Sequence, residues 1–254
     1  MKKNRQLIIH ADDLGIDRAV NQACFLALEE RWITSASAMV PAPYFAQVVE
    51  FAKNRHHQFD LGIHLTFTSE WPKRKLSPCA KPSLVKSLVD RNGHFHSTVD
   101  QFLRLANLDE IIIEANAQIK RALILGLKPT HLDCHMFSLY RNPKTRSIIS
   151  SLSFQYNLPV LFPDGRIFAM PRATAAVDWE KSYIEMLLNL PAGISELIVH
   201  PGFDTPGLRN IMGIKSAWGS EWRRRDLEFV GSYFLPGFLK KMAIQPVDWK
   251  IIHK

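Results

Sequence analysis

The sequence lacks the features that mark secreted and membrane proteins. Its three cysteines, Cys24, Cys79 and Cys134, are too few and too widely spaced for a disulfide framework, which favours free thiols in a reducing compartment. No apolar run approaches the roughly 20 residues of a membrane span. The basic start of the chain leads into only three apolar residues before His10, too few for the centre of a signal peptide. The sequence therefore predicts a cytoplasmic protein without a membrane span.

Internal repeats, low-complexity tracts and linkers are also absent. With 254 residues, 46% of them hydrophobic, we expect one domain over residues 1–254. The net charge is +8 and the densest basic run is Arg223-Arg224-Arg225. This run is interpreted either as an anion-binding patch or as a solvated stretch near a helix start. Because no RNA- or DNA-binding motif is present, no nucleic-acid partner is expected.

Apolar strand-like runs alternate with helical patterns, which predicts an α/β fold with a mainly parallel sheet or barrel. Residues 69–107 are predicted to form a long, loop-rich excursion, and loops of such length are usually functional or mobile. The predicted strands cover 6–11, 35–40, 61–67, 130–137, 159–162 and 196–200, with a final extended segment at 243–252. The predicted helices cover 18–30, 45–53, 109–125, 144–155 and 178–189, with the last helices inside 223–239.

Two adjacent carboxylates, Asp12 and Asp13, end the first apolar run. Burying both charges without compensation is very costly, so a cation or solvent must neutralise them. One aspartate could bind a divalent metal while its neighbour, pointing elsewhere, acts as a base. The alternative interpretation is a helix N-cap, a position at which Asp is favoured.

Histidines occur in three other predicted strands. His64 lies in an apolar strand, where a hydrogen-bonded core histidine is the alternative to a metal ligand. Strand alternation puts His131, Asp133 and His135 on one face, which favours a metal with its supporting partners over a metal-free polar network. His200 ends the run ELIVH and is interpreted as a ligand, a proton donor, or a helix-capping or loop residue. The remaining histidines are interpreted as structural or surface residues: His10, His56, His57, His94, His96 and His253.

All these polar clusters lie at or near the carboxyl ends of predicted parallel strands, and these ends meet at one edge where ligands bind. One aspartate and two histidines would leave open metal positions for water and substrate. The segments LIIHADDLGIDRAVNQA, ITSASAMV, LGIHLTF, KPTHLDCHMF and IVHPGFD occur in this order between Leu7 and Asp204. Together they resemble the YdjC-like carbohydrate deacetylases, which include chitooligosaccharide deacetylase and the hopanoid-biosynthesis deacetylases.

The resemblance implies an irregular TIM-like (β/α) barrel with one divalent ion, Mg²⁺ or Zn²⁺, and a homodimer. It also implies that Asp12 is the general base and His200 the general acid, with the metal bound by Asp13, His64 and His135. The chain departs from the family pattern at Met136 and Phe137, where relatives often have further histidines, and at residues 161–166. Both departures concern the substrate and leave the implied chemistry intact.

These roles predict removal of the acetyl group from an N-acetylated sugar. The ion would lower the pKa of water and stabilise the oxyanion, Asp12 would take the proton of water, and His200 would protonate the departing amine. Trp71, Trp218 and Trp222 could stack on a sugar ring or simply pack. One alternative is a metal-dependent phosphoesterase or nuclease, which the positive charge would suit but which often needs more carboxylates. The other is a sugar- or lipid-binding relative that has lost catalysis, against which the intact Asp12 and His200 argue.

Overall fold

The computed structural model describes residues 4–53, 55, 58–171 and 178–253. It divides into two compact units that interleave along the chain. The first unit contains residues 1–12, 19–36 and 161–254, and the second contains 13–18 and 37–160. His56 and His57 lie outside the described residues, as does the side chain of His253. Among the described helices, none has both the length and the apolar character needed to cross a bilayer.

Strands and helices alternate along the chain, which confirms the predicted α/β class. The closed barrel and the single-domain organisation remain predictions. The strands are β1 (Arg5–Leu14), β2 (Ser35–Ala38), β3 (Leu61–Leu65), β4 (Leu132–Cys134), β5 (Ile167–Ala169), β6 (Gly193–Val199) and β7 (Ile244–Pro246). The helices are α1 (Arg18–Glu29), α2 (Phe45–Ala52), α3 (Val99–Leu105), α4 (Leu108–Ile124), α5 (Pro143–Tyr156), α6 (Trp179–Leu188), α7 (Pro206–Met212), α8 (Ser220–Val230) and α9 (Phe234–Lys241).

In the first unit β6 lies between β1 and β5, and β7 also pairs with β1. Strand β1 pairs in parallel with both β6 and β7. Its apolar residues are fully buried, as expected for a parallel strand covered on both faces. Because Ala11 is in register with Val199, Asp12 and His200 both follow at the carboxyl ends of these strands.

In the second unit β3 and β4 are paired strands. The parallel register of β3 and β4 places His64 beside Asp133. Gly62 in β3 lies against the imidazole of His131, and a Cβ atom at Gly62 would be 2.2 Å from Nε2 of His131. This position therefore requires glycine for steric reasons.

A buried carboxylate holds the excursion at residues 69–107 against α4. Glu114 is fully buried and accepts hydrogen bonds from the backbone N–H groups of Cys79 (2.9 Å) and Ala80 (2.8 Å). The amide of Gln118 donates a third hydrogen bond at 2.8 Å. Burial raises the pKa of Glu114. Much of the excursion is without regular structure, but these bonds give it a defined path.

Several predicted boundaries were wrong. The predicted strand at 159–162 is not a strand in the structure, and the prolines at 159 and 163 cannot donate to a β-ladder. Strand β4 ends at Cys134, short of the predicted 137, because Met136 and Phe137 have φ angles of 56° and 53°. Strand β5 and helix α7 were not predicted, and the final segment is extended only over β7 before a 3₁₀ turn at Trp249–His253.

Candidate metal centre and proton-transfer residues

The structure brings Asp13, His64 and His135 together in the second unit. Each offers one ligand atom, and these atoms all lie within 4.8 Å of one another. Oδ1 of Asp13 is 3.6 Å from Nε2 of His64 and 3.1 Å from Nδ1 of His135, and the two nitrogens are 3.3 Å apart. All three side chains are buried. The spacing suits a shared cation, and the assignment of these residues as ligands remains a prediction.

Each histidine of this triad contacts a carboxylate through its other ring nitrogen. Nδ1 of His64 is 2.9 Å from Oδ1 of Asp133, and Nε2 of His135 is 2.5 Å from Oε1 of Glu70. Metal-binding histidines usually have such partners, which fix the tautomer and the ring orientation. One carboxylate oxygen and two imidazole nitrogens, each ring held by a carboxylate partner, fit a divalent cation. They leave coordination positions for water and substrate.

Glu70 was not among the predicted site residues. It lies in the excursion after β3, and no periodic spacing relates it to His135, so the sequence offers no local signal for the contact. Asp133 was found by strand alternation, but His131 does not join the triad. Instead, Nδ1 of His131 is 3.2 Å from Oδ1 of Asp60.

The electrostatic field within the triad favours positive charge. Burial by itself lowers the pKa of His135, but the carboxylates of Glu70 and Asp13 together raise it to about 10. A metal ligand must present an unprotonated nitrogen, so a cation bound here competes with this proton. The two carboxylates that favour the proton also favour a metal ion.

The backbone is strained at the triad. Asp13 has a φ angle of 70°, and the two residues after His135 are also left-handed. Each non-glycine residue in the left-handed region raises the free energy of the folded protein by about 1–2 kcal/mol. Asp tolerates this backbone conformation better than most residues. Backbone strain of this kind is frequent at functional sites, where the surrounding structure stabilises the strained conformation.

Glu70→Gln is expected to weaken binding of a divalent ion by about 10–100-fold, the usual effect of losing an outer partner of a ligating histidine. The charge that aligns His135 is lost, while a hydrogen-bonding side chain of the same size remains. Titration calorimetry with Zn²⁺ on the purified chain measures the effect. Glu110→Gln is the matched control, because Glu110 accepts bonds from Ser87 in the same excursion. Equal affinity in wild type and Glu70→Gln would contradict this role.

In the first unit, His200 lies beside Asp12. Nε2 of His200 is 3.8 Å from Oδ2 of Asp12. On its other side, the backbone N–H of His200 donates to Oδ2 of Asp226 at 2.8 Å, and Nδ1 is 4.0 Å from the same oxygen. The structure therefore brings the predicted acid and base together, with Asp226 behind the histidine. Their catalytic roles remain predictions.

Asp226 is a fully buried carboxylate that sequence reasoning missed. Its Oδ1 accepts hydrogen bonds from Nε1 of Trp179 (3.0 Å) and from the hydroxyl of Tyr183 (2.6 Å). Burial raises the pKa of Asp226 to about 6, against the lowering effect of these bonds. The available signal was helical periodicity, since Asp226 lies three and four residues after the buried Arg223 and Trp222 of α8.

His10 was interpreted as a structural or surface residue, and the structure places it next to the predicted base. It is fully buried, with Nε2 3.3 Å from Oδ1 of Asp12. Its Nδ1 is 3.0 Å from the hydroxyl of Ser35 and 3.7 Å from Oε1 of Glu196. Strand alternation places residues 10 and 12 on one face, and this was the signal available in the sequence.

The run Arg223-Arg224-Arg225 lies near the start of α8, and its three side chains differ in their surroundings. Arg223 is fully buried and donates from Nε to the carbonyl of Trp218 at 3.0 Å. Arg224 pairs with Glu228, and Arg225 pairs with Glu221 at 2.8 Å. The helical repeat directs the three side chains to different partners.

The three tryptophans considered for sugar stacking differ in their surroundings. The ring of Trp71 is 5.7 Å from the ring of His135 in the second unit. The ring of Trp218 is 6.3 Å from that of His200 in the first unit. Trp222 is buried and packs against Trp179 and Trp218, in agreement with the packing interpretation.

Comparison with known proteins identifies the family to which this chain belongs. The chain is 28% identical over 230 residues to a protein named carbohydrate deacetylase from Enterococcus faecalis, covering 83% of this chain and 86% of that protein. It is also 28% identical over 260 residues to a carbohydrate deacetylase from Clostridium beijerinckii, covering 97% and 100%. A crystal structure from E. faecalis V583, described as a candidate cellobiose-phosphate cleavage protein, superposes with a TM-score of 0.83 at 25% identity, covering 98% and 99%. The YdjC-like protein family matches residues 6–241, and this chain belongs to that family.

Proposed function

We propose that this YdjC-like protein is a carbohydrate deacetylase that uses one divalent cation to remove the acetyl group from an N-acetylated amino sugar. The main support for the proposal is the triad of Asp13, His64 and His135, in which the second ring nitrogen of each histidine contacts a carboxylate. The carbohydrate deacetylases to which the chain is similar along most of its length support the same reaction.

The proposed mechanism assigns metal binding to the triad and proton transfer to Asp12 and His200. The peptide bond between Asp12 and Asp13 links these two sets of residues. A divalent cation held by Asp13, His64 and His135 would supply Lewis acidity toward water and the acetyl oxygen. Asp12 is the base that takes a proton from the attacking water. His200 donates a proton to the sugar nitrogen as the carbon–nitrogen bond breaks, since an unprotonated amide nitrogen is a poor leaving group. The products are acetate and the free amino sugar.

The surroundings of Asp12 and His200 suit these roles. His10 and His200 lie 3.3 Å and 3.8 Å from the two oxygens of Asp12 and limit its rotation. Asp226 accepts the backbone N–H of His200 and holds the histidine from behind. Neighbouring side chains therefore position both the base and the acid for proton transfer.

Acetate release from N-acetylated chitooligosaccharides tests the proposal. We expect the purified protein to release acetate, to fall to background after EDTA treatment, and to recover when Zn²⁺ or Mg²⁺ is added. Phosphate release from p-nitrophenyl phosphate is measured in parallel, because a phosphoesterase is the rival function. Acetate release that persists after metal analysis confirms complete chelation, or phosphate release without acetate release, would reject the proposal.

A further inference from the structure

The indole of Trp218 lies beside the proposed acid, His200, and has no part in the reaction described above. The centres of the two rings are 6.3 Å apart. Trp218 is half-buried, and the centre of its ring is 5.5 Å from that of the buried Trp222. Trp218 therefore packs against Trp222 and keeps part of its surface open to solvent in the neighbourhood of His200.

The backbone at Trp218 is held in an unfavourable conformation. Its φ angle is 57°, in the left-handed region that residues with large side chains rarely adopt. The carbonyl of Trp218 accepts a hydrogen bond from Nε of Arg223 at 3.0 Å, and Arg223 is fully buried. Strained residues of this kind persist where the surrounding structure holds them, and they are frequent where ligands bind.

The loop that carries this tryptophan, residues 213–219, is closed by its own backbone. The N–H of Ser220 donates to the carbonyl of Gly213 at 2.9 Å, and the N–H of Gly219 donates to the carbonyl of Ser216 at 2.9 Å. A Cβ atom at Gly219 would lie 2.9 Å from both of these carbonyl oxygens, so this position requires glycine. Because the loop is fixed in advance, a ligand that contacts Trp218 pays little entropy to order it.

The proposed reaction places a sugar ring close to this indole. The nitrogen that His200 protonates is bonded directly to the sugar ring, so this ring must lie within a few ångströms of the imidazole. An indole whose centre is 6.3 Å from the imidazole is within reach of the same sugar. One face of a pyranose ring presents C–H groups, and a tryptophan can cover that face while the hydroxyl groups at the rim stay in water.

We propose that Trp218 is the surface on which the amino sugar stacks, with the ring that bears the departing nitrogen lying on the indole. The inference rests on the proposed function and names the part of the substrate that this residue recognises. It makes a cyclic sugar with an apolar face the preferred substrate, over acetylated amines that lack a ring. The adjoining Trp222 is buried and cannot present a face to a ligand in the same way.

Trp218→Leu is expected to raise KM for N-acetylated chitotriose about tenfold and to leave kcat within about twofold of wild type, since a contact made equally in the bound substrate and the transition state affects KM alone. Leucine matches the backbone strain at this position but has no flat face. Trp218→Phe keeps a smaller flat face, so its KM should fall between the two, and it carries the same test if leucine destabilises the fold. Acetate release over a range of chitotriose concentrations gives both constants.

Ile214→Ala is the matched control, because Ile214 is an exposed apolar residue of the same loop. It is expected to keep the KM and kcat of wild type. If Trp218 only packs against Trp222, its replacement would lower the urea midpoint of unfolding, or lower kcat by displacing His200, without a rise in KM. That pattern, or an equal rise in KM in Ile214→Ala, would overturn the proposal.

Calorimetric titration of chitotriose into Asp12→Asn and into Asp12→Asn/Trp218→Leu measures binding without turnover. Binding that is about tenfold weaker in the double variant supports stacking on Trp218 whether or not the wild-type protein releases acetate. Acetate release by wild type together with equal affinity in the two variants would support the proposed function and reject the role of Trp218. No binding of chitotriose to Asp12→Asn would also reject this role.

Discussion

Asp12→Asn is expected to lower kcat for acetate release by about 10²–10⁴-fold, the usual contribution of a positioned general base. Asparagine keeps the size and the hydrogen-bonding capacity of the side chain but cannot take a proton from water. Binding of the divalent ion should stay close to wild type, because Asp12 is not one of the three triad ligands. The measurement combines acetate release at saturating substrate with titration of Zn²⁺ into the same preparation.

Asp13→Asn is the matched comparison, one residue along the chain. It is expected to lose both ion binding and acetate release, because the only carboxylate of the proposed triad is gone. A loss of ion binding in Asp12→Asn would mean that Asp12 is a ligand and not the base. Wild-type kcat in Asp12→Asn would remove this residue from the mechanism.

The parts of this site that could be predicted from sequence share a physical basis in strand geometry. Parallel strands bring their carboxyl ends to one edge, so polar residues at the ends of apolar runs are expected to meet. This reasoning selected Asp12 and Asp13 at the end of β1, and His64 and His135 in or after β3 and β4, while their separate roles came from the family resemblance. The structure places the predicted triad and the predicted acid–base pair at short range within their respective units.

The parts that could not be predicted depend on long-range packing or on irregular backbone. Glu70 reaches His135 from a segment with no periodic pattern. The turn after β4 needs two consecutive left-handed residues, Met136 and Phe137, and neither residue type has a preference for that conformation. Asp226 is buried by tertiary contacts with α6 and with His200, the residue after β6, whereas its sequence neighbours made the segment look solvated.

Asp226→Asn is expected to change how stability depends on pH. Burial raises the folded-state pKa of this carboxyl from 3.8 to about 6, so the folded protein holds a proton that the unfolded chain has released. The stabilising effect of this proton is complete below pH 3.8 and is lost as pH rises through about 6. The total change is about 3 kcal/mol, since each pH unit between the two pKa values is worth about 1.4 kcal/mol.

Urea unfolding of wild type and Asp226→Asn between pH 4 and pH 7 measures this difference. The advantage of wild type over the variant should shrink by about 2 kcal/mol across this range, which covers most of the total change, and kcat should fall in the variant because the support behind His200 is altered. Asp204→Asn is the control with the opposite shift. Arg209 lowers the pKa of Asp204 to about 2, so its contribution is constant above pH 5. A constant difference between wild type and Asp226→Asn would mean that Asp226 keeps one charge state throughout, and its hydrogen bonds alone would then account for the position of His200.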